Sequence, residues 1–150
     1  AHEVKNPLQI IIMGLDYLDH RIRGRDEATD TTLGDMRDAA LRAEVIRHTM
    51  NSRVFRLTQR RTVEESGDGK TPGPATSIFK MYGTELQQEK SALLVKLRGF
   101  NGIGWTGDAF DTDEIEGMRT FLGERAASIY SGSNEIQRNI IAKRVLGLPD

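Results

Sequence analysis

Apolar residues in this chain recur at steps of three and four positions, the spacing that places side chains on one face of an α-helix. The N-terminal segment is predicted to form such a helix and to end at Gly24, which lies between two arginines, as is typical of a helix C-terminus. The apolar positions that define this first stripe are Leu8, Ile11, Leu15, Leu18 and Ile22.

A second stripe predicts a helix of roughly seven turns, long enough to cross a small domain and to pack against several other helices. Segment 62–74 interrupts the pattern with three glycines and two prolines, and we interpret it as an exposed loop. Helical spacing resumes in a third stripe, but Glu89 and Lys90 interrupt it and predict a region that faces solvent or a partner. The two stripes comprise Leu33, Met36, Ala40, Ala43, Ile46, Met50, Val54 and Leu57, and then Ile78, Tyr82, Leu86, Leu93 and Leu97.

The rest of the chain predicts two further helices. Glycine supplies four of the nine residues in segment 99–107, which therefore cannot sustain a helix. Asp113, with Glu116 three positions later, is predicted to cap a fourth helix that runs to about residue 127. A short turn precedes a last helix, predicted from Asn134 to Val145 because a glycine and a proline follow it. Five helices without an alternating strand pattern predict an all-α helical bundle.

Charge and composition exclude several functional classes. The chain carries 21 Lys and Arg against 22 Asp and Glu, and its net charge of -1 argues against a dedicated nucleic-acid binder. No apolar run approaches the roughly 20 residues that cross a bilayer, and the first residues lack the apolar core of a signal peptide. Cysteine is absent, which excludes disulfides, thiolate catalysis and Cys-based zinc sites. These features predict a cytoplasmic protein without a membrane span.

Two short motifs resemble phosphate or ion sites but lack residues that those sites require. Segment 67–71 ends like a phosphate-binding loop, but Glu64 replaces the first required glycine and Pro72 follows where a helix should begin. Segment 111–113 is similar to the start of a calcium loop, but the required glycine at the sixth position is Glu116. The three histidines share no metal-ligand spacing. No metal site is predicted.

Two other features leave their interpretation open. Segment 99–107 is either a connector between helices or a stretch of backbone that approaches a ligand closely, which glycine permits because it has no side chain. The turn before the last helix offers free N–H groups and a positive helix end, which suit an anion such as phosphate. Every helix has such an end, so this physical argument is unspecific.

Segment 129–149 is much more specific. It resembles the C-terminal signature of flavin-dependent acyl-CoA dehydrogenases, roughly I-Y-x-G-[ST]-x-[EQ]-I-Q-R-x-I-[IV]-A-[RK], and it matches without a gap. Upstream, segment 77–80 resembles the start of a bundle helix in that family, and segment 96–102 occupies the place of its Q-[IV]-[LF]-G-G-x-G loop. Segment 35–53 resembles the long helix that follows a flavin-contacting arginine. The resemblance covers the whole chain and is weakest before residue 35.

The resemblance implies the C-terminal helical bundle of that family and its chemistry. Such enzymes bind FAD; a carboxylate removes the α-proton of an acyl-CoA thioester, and the β-hydrogen leaves as hydride to the flavin. Electrons then pass to an electron-transfer flavoprotein, and the resemblance implies a homo- or hetero-tetramer. The residues that it places at FAD are Arg25 (or Arg23), Lys96, Arg98, Gly99, Phe100, Tyr130, Gly132, Ser133 and Glu135.

Ser131 occupies the position at which the commonest subfamily has its catalytic glutamate. A hydroxyl without an adjacent base does not remove an α-proton at neutral pH. One interpretation is that the catalytic base is Glu3, because some family members place the base at the start of the first helix of this domain. The other is that this subunit has lost the base and pairs with a catalytic partner, as in heteromeric enzymes of bacterial sterol side-chain degradation.

These observations lead us to expect that residues 1–150 form the C-terminal bundle domain of a longer acyl-CoA dehydrogenase-like polypeptide. The leading hypothesis is an FAD-dependent oxidoreductase that contributes FAD binding and oligomer contacts through this domain. The alternative is a catalytically silent subunit that holds FAD or has a structural role. A generic helical interaction module is a third hypothesis, but it leaves the match at 129–149 unexplained.

Overall fold

The computed structural model describes residues 7–22, 24, 27–67, 73 and 76–149. Within these ranges the regular structure is entirely helical, which confirms the predicted all-α class. The chain divides into two compact units, 1–47 and 48–150, and the second helix has residues in both. The α-helices are α1 (Pro7–Ile22), α2 (Glu27–Ser66), α3 (Thr76–Arg98), α4 (Thr112–Gly123) and α5 (Asn134–Ile140), with 3₁₀ segments at Gly99–Ile103 and Glu124–Ser128 and a π-helical turn at Ile141–Val145.

The first unit contains α1 and the N-terminal part of α2. In α1 the buried apolar residues are Ile12 and Leu15, whereas Ile11 and Leu18 of the predicted stripe are exposed. Between α1 and α2 the Gly24 N–H donates a hydrogen bond to the Asp30 carboxylate at 3.2 Å. Gly24 has a φ of 79°, the left-handed conformation that glycine adopts without a steric penalty. This glycine therefore ends the first helix, as predicted.

Helix α2 continues to Ser66, so the prediction of a loop over all of segment 62–74 was wrong for residues 62–66. Two ion pairs between successive turns stabilise this end: Arg60 Nε lies 2.7 Å from Glu64 Oε1, and the Arg61–Glu65 pair measures 2.6 Å. The helix ends where Gly67 adopts a φ of 56°. The loop was predicted from the glycines and prolines of this segment, and the prediction did not take into account the i,i+4 spacing of the paired Arg and Glu residues.

In the second unit α2 packs against α3 through an aromatic cluster and a polar cluster. The Phe55 ring makes edge contacts with Phe79 and Tyr82, whose ring centroids lie 5.9 and 5.7 Å away. Two turns toward the N-terminus of α2, His48 Nδ1 lies 3.3 Å from the Glu89 carboxylate. Glu89 is half-buried against this histidine, whereas the neighbouring Lys90 is exposed, so the predicted region that faces solvent or a partner is present at Lys90.

The apolar stripe that predicted α2 is only partly buried. Leu33 and Ala40 are buried in the first unit, but Met50, Val54 and Leu57 in the second unit are exposed. This part of the stripe is exposed because the residues of α2 that contact α3 lie on the opposite face of the helix.

Helix α3 is the central element of the second unit. It packs against α4, α5 and both 3₁₀ segments, with Leu86, Ser91 and Leu93 buried. Gln88 anchors the second 3₁₀ segment, because its Nε2 donates to the Glu124 carbonyl at 2.9 Å. In return an Arg125 guanidinium N–H donates to the Gln88 carbonyl, also at 2.9 Å.

The cap of α4 differs from the prediction by two residues. The N-cap is Asp111, not Asp113: its carboxylate accepts from the Glu114 N–H at 2.8 Å, and the Glu114 side chain accepts from the Asp111 N–H at 2.9 Å. This is a reciprocal capping box. Asp111 with Glu114 and Asp113 with Glu116 both have the spacing of a capping box, so spacing alone did not show which aspartate is the N-cap. The α-helix ends at Gly123, and the 3₁₀ segment covers the remaining residues that were predicted as helix.

The glycine-rich segment packs closely on its own chain. A side chain at Gly102 would overlap the Val95 carbonyl of α3, and one at Gly104 would overlap the Phe110 ring. At these two positions the absence of a Cβ serves intramolecular packing, which favours the connector interpretation over approach to a ligand.

We predict that Gly102→Ala destabilises the protein by about 1–3 kcal/mol, because the new methyl group meets backbone that cannot move without displacing α3. The matched control is Gly123→Ala, since Gly123 has open space around it and helical dihedrals. That control should be neutral or stabilising by up to about 1 kcal/mol. Denaturant unfolding of both variants measures the difference, and equal stabilities would contradict the packing role.

Candidate functional site

The candidate site is the tight turn between the second 3₁₀ segment and α5. The Tyr130 N–H donates to the Ala126 carbonyl at 3.1 Å, and the chain then reverses through Ser131 (φ 58°) and Gly132 (φ 88°). Ser133 is the N-cap of α5, and its hydroxyl oxygen accepts from the Ile136 N–H at 3.5 Å. The predicted turn and the predicted start of the last helix are both present.

Ser131 is the only non-glycine residue with a positive φ in the described ranges. This conformation costs a residue with a side chain on the order of 1 kcal/mol, so the neighbouring contacts must impose it. Glycine suits position 132 because its φ of 88° is one that residues with a side chain rarely adopt, and a Cβ there would also lie 2.8 Å from the Gln137 amide nitrogen. That buried amide instead donates to the Gly132 carbonyl at 3.5 Å.

A buried amide attaches the turn to α3. Asn134 is 5% exposed, and its Oδ1 accepts hydrogen bonds from Lys80 Nζ at 3.1 Å and from Thr84 Oγ1 at 3.2 Å. The bond from an ammonium is charge-assisted and is therefore stronger than a bond between neutral groups. The first residue of α5 is thus positioned by two residues of α3 on adjacent turns.

One carboxylate adds a second connection between the same two helices. Glu85 Oε1 accepts from Arg138 at 2.9 Å and from the Asn134 amide at 3.5 Å. Arg138 is partly exposed, so we attach little stability to the ion pair itself. Its effect is geometric, because it orients α5 and with it the turn.

Glu135 lies at the surface in the first turn of α5. Hydrogen bonds to its carboxylate from its own backbone N–H and from the Ser133 hydroxyl lower its pKa, with smaller contributions from Arg138 and Lys80. A general base that removes a weakly acidic proton needs a pKa nearer to neutrality. Glu135 therefore does not fit the role of catalytic base, although it is the nearest carboxylate along the chain after Ser131.

The second group of predicted site residues lies at the C-terminal end of α3. Phe100 is 74% exposed, and its ring centroid lies 5.9 Å from that of Phe110. Gly99 adopts a φ of 59°, and Lys96 is half-buried. The Arg98 guanidinium donates to the Asp113 carbonyl of α4. This arginine therefore connects the loop to α4.

The two groups of predicted residues do not converge in the chain. The turn is attached at Lys80, whereas Lys96 follows 16 residues later on the same helix. At 1.5 Å per residue the two positions are about 24 Å apart along the helix axis. Glu3, Arg23 and Arg25, the remaining predicted site residues, lie outside the described residues.

The prediction missed the residues that build the turn. Asn134, Gln137 and Arg138 belong to the recognised segment, yet no role was assigned to them, and Lys80 and Glu85 carry no sequence signal for this contact. The position of Asn134 at the start of a helix was a weak indication of a structural role. Its burial depends on α3 and is visible only in the structure.

A comparison with protein families identifies the family of the chain. Residues 20–146 match the model described as the acyl-CoA dehydrogenase C-terminal domain. The chain belongs to the acyl-CoA dehydrogenase family. The matched range includes both groups of candidate residues, at 96–100 and at 130–135, but it excludes Glu3.

Curated relatives agree with this family. The chain is 34% identical over 125 residues to acyl-CoA dehydrogenase IpdE1 of Mycobacterium tuberculosis, which covers 83% of the chain and 29% of that protein. It is 40% identical over 82 residues to acyl-CoA dehydrogenase IpdE1 of Mycolicibacterium smegmatis, covering 55% of the chain and 20% of that protein. Acyl-CoA dehydrogenase FadE34 of Mycobacterium tuberculosis is 28% identical over 118 residues, which covers 78% of the chain and 15% of that protein.

The chain thus spans less than a third of the length of these relatives. No solved structure matches it. Among the described residues no helix combines the length and apolarity needed to cross a bilayer, and no group of three or more acidic or histidine side chains is placed to bind a metal ion.

We predict that Asn134→Ala destabilises the protein by about 1–3 kcal/mol, because it removes a buried amide and leaves Lys80 without its acceptor, whereas the Thr84 hydroxyl keeps the Met81 carbonyl at 2.9 Å. Asn139→Ala is the matched control on the same helix, since Asn139 is exposed, and its effect should stay within about 0.5 kcal/mol. Denaturant unfolding measures both. Similar losses in the two variants would show that the buried amide has no special role.

The lowered pKa of Glu135 predicts a pH-dependent effect of Glu135→Gln. A depressed carboxyl pKa contributes stability above the ordinary glutamate value of about 4.3, and this contribution disappears as pH falls through the lowered value. The wild type should therefore be slightly more stable than the variant at pH 7, and this difference should shrink as pH falls below the ordinary glutamate value. Urea unfolding across this range tests the sign, and a difference that grows on acidification would refute it.

Proposed function

We propose that residues 1–150 form the C-terminal bundle domain of a longer FAD-dependent acyl-CoA dehydrogenase, which introduces an α,β double bond into an acyl-CoA thioester. One observation carries the proposal: the recognised turn at 130–133 is presented at the surface by a buried attachment to α3, in a chain that matches the family domain over residues 20–146. The small share of each relative that the chain covers supports its place as a domain of a longer polypeptide.

The residues at the turn suit a flavin cofactor. Tyr130 is 58% exposed and offers an aromatic face, while Gly132 leaves its backbone open and Ser133 and Glu135 add polar groups. When bound, FAD would accept the two electrons and the β-hydrogen of the substrate. In this chain Tyr130, Gly132, Ser133 and Glu135 would hold it at the turn.

The loop at the other end of α3 would supply separate FAD contacts. Phe100 and Gly99 expose a ring and open backbone, and Lys96 stands where the family has a glutamine. Because about 24 Å separates the two groups along α3, we propose that they contact different parts of the cofactor or cofactors of different subunits. Arg98 would position the loop, since its guanidinium is engaged with Asp113. Arg25 completes the proposed set.

Two observations bear on the catalytic base. Ser131, at the usual position of the glutamate, has no basic group, and Glu135 has a lowered pKa that weakens it as a base. We propose Glu3 as the base. The left-handed Ser131 in place of the glutamate also favours a second candidate function, a catalytically silent FAD-holding or structural subunit whose partner supplies the base.

The proposed partners follow from this chemistry. The substrate is an acyl-CoA, and reduced flavin would be reoxidised by an electron-transfer flavoprotein. We propose a tetramer located in the cytoplasm, and the missing glutamate favours a heteromeric assembly of the sterol side-chain type over a homomeric one.

The test uses the full-length polypeptide that contains this chain, purified alone and with any co-purifying partner. It should carry bound flavin, visible as yellow absorbance, and should reduce an artificial electron acceptor when acyl-CoA is added. Glu3→Gln should abolish turnover while flavin stays bound, whereas Ser131→Ala should leave turnover unchanged. A colourless assembly would exclude the FAD proposal, and full turnover in Glu3→Gln would exclude Glu3 as the base.

A further inference from the structure

The C-terminal half of α2 has two different faces. One face contacts α3 through His48 and Phe55. Ser52 lies on the same face and hydrogen-bonds His48. At 100° per residue, Met50, Val54 and Leu57 lie about half a turn around the axis from these residues. They are 62%, 61% and 56% exposed, so three large apolar side chains form a stripe that no described residue covers.

Arginines line one edge of this stripe. Helix α2 has no acidic residue between Glu44 and Glu64, and at 100° per residue Arg53, Arg56 and Arg60 lie along the same edge of the stripe, whereas Thr58 lies along the other. We call this surface the arginine-rimmed face; it comprises Met50, Arg53, Val54, Arg56, Leu57, Arg60 and Arg61.

The arginines differ in their partners. Arg60 and Arg61 form ion pairs with Glu64 and Glu65 one turn further along the helix. Arg53 and Arg56 are exposed and make no hydrogen bond or ion pair within the described part of the chain. The middle of the face therefore carries uncompensated positive charge beside apolar surface.

This charge pattern disfavours self-association through the face. A second copy packed antiparallel would place arginine against arginine across an apolar contact, and like charges brought together at an interface cost on the order of several kcal/mol. The two nearby glutamates do not relieve this repulsion, because both already pair with arginines of their own helix. Complementarity instead requires apolar residues at helical spacing with acidic residues along the edge that meets Arg53 and Arg56.

We propose that the arginine-rimmed face binds an acidic amphipathic helix of a different polypeptide. Leu57, Val54 and Met50 contact its apolar residues, while Arg53 and Arg56 pair with its Asp or Glu side chains. The inference deepens the heteromeric assembly proposed above and rests on it, but it does not depend on flavin binding.

The binding test uses the full-length polypeptide expressed alone and two synthetic helical peptides. Both peptides carry leucines at i, i+3, i+4 and i+7, and they differ only in having glutamate or lysine beside the leucines. Fluorescence anisotropy should detect binding of the glutamate peptide, weakening with added salt, and at least tenfold weaker binding of the lysine peptide.

Charge reversal supplies the decisive variants. The double variant Arg53→Glu with Arg56→Glu should bind the glutamate peptide at least tenfold more weakly than the wild type and the lysine peptide more tightly. Its circular dichroism should be unchanged. Arg144→Glu, which changes an exposed arginine elsewhere, should bind like the wild type.

Four results would overturn the inference. Equal affinity for the two peptides would remove the role of charge, and retained binding in the double variant would place the site elsewhere. Absence of binding to the wild type would mean that the rest of the polypeptide covers the face. A dimer of the protein alone that Leu57→Asp dissociates in light scattering would identify a second copy as the occupant. Flavin content is measured separately, so a colourless protein with intact charge selectivity would count only against the flavin proposal.

Discussion

The hydrogen bonds to one buried oxygen, Asn134 Oδ1, constrain the rest of the candidate site. Lys80 and Thr84 both donate to it from α3, and this contact places the start of α5. The residues just before it must then reverse within a few positions, which is why Ser131 and Gly132 both adopt a positive φ. The turn is thereby exposed on one side while its last residue is buried on the other.

The same helix that positions the turn also carries the glycine-rich loop at its far end. Gly102 packs on the backbone of α3 at Val95, and Arg98 reaches from the end of α3 to α4. A straight helix thus sets the separation between two groups of proposed cofactor residues. Because α3 holds the two groups apart, they do not form one continuous surface within the described residues.

Much of the fold could be predicted because helical periodicity is a local property of the sequence. The five helices and the last helix start at Asn134 were predicted, while errors arose where two local signals competed. Asp111 and Asp113 both offer a capping box, and only packing selects between them. The stripe through Met50 predicted the helix, but which face of that helix is buried depends on α3, and α3 contacts the other face. The site was recognised by resemblance, but the network around Lys80 depends on tertiary contacts with no sequence signal.

Hydrogen–deuterium exchange of the full-length protein with and without added FAD tests the central claim, that the turn before α5 meets the flavin while Asn134 fixes it from behind. Amides of residues 130–133 should exchange more slowly when FAD is bound, because the cofactor covers a turn that is otherwise exposed. Amides of α3 around Thr84 should be protected to the same extent in both states. Bound flavin without any added protection at residues 130–133 would contradict the account.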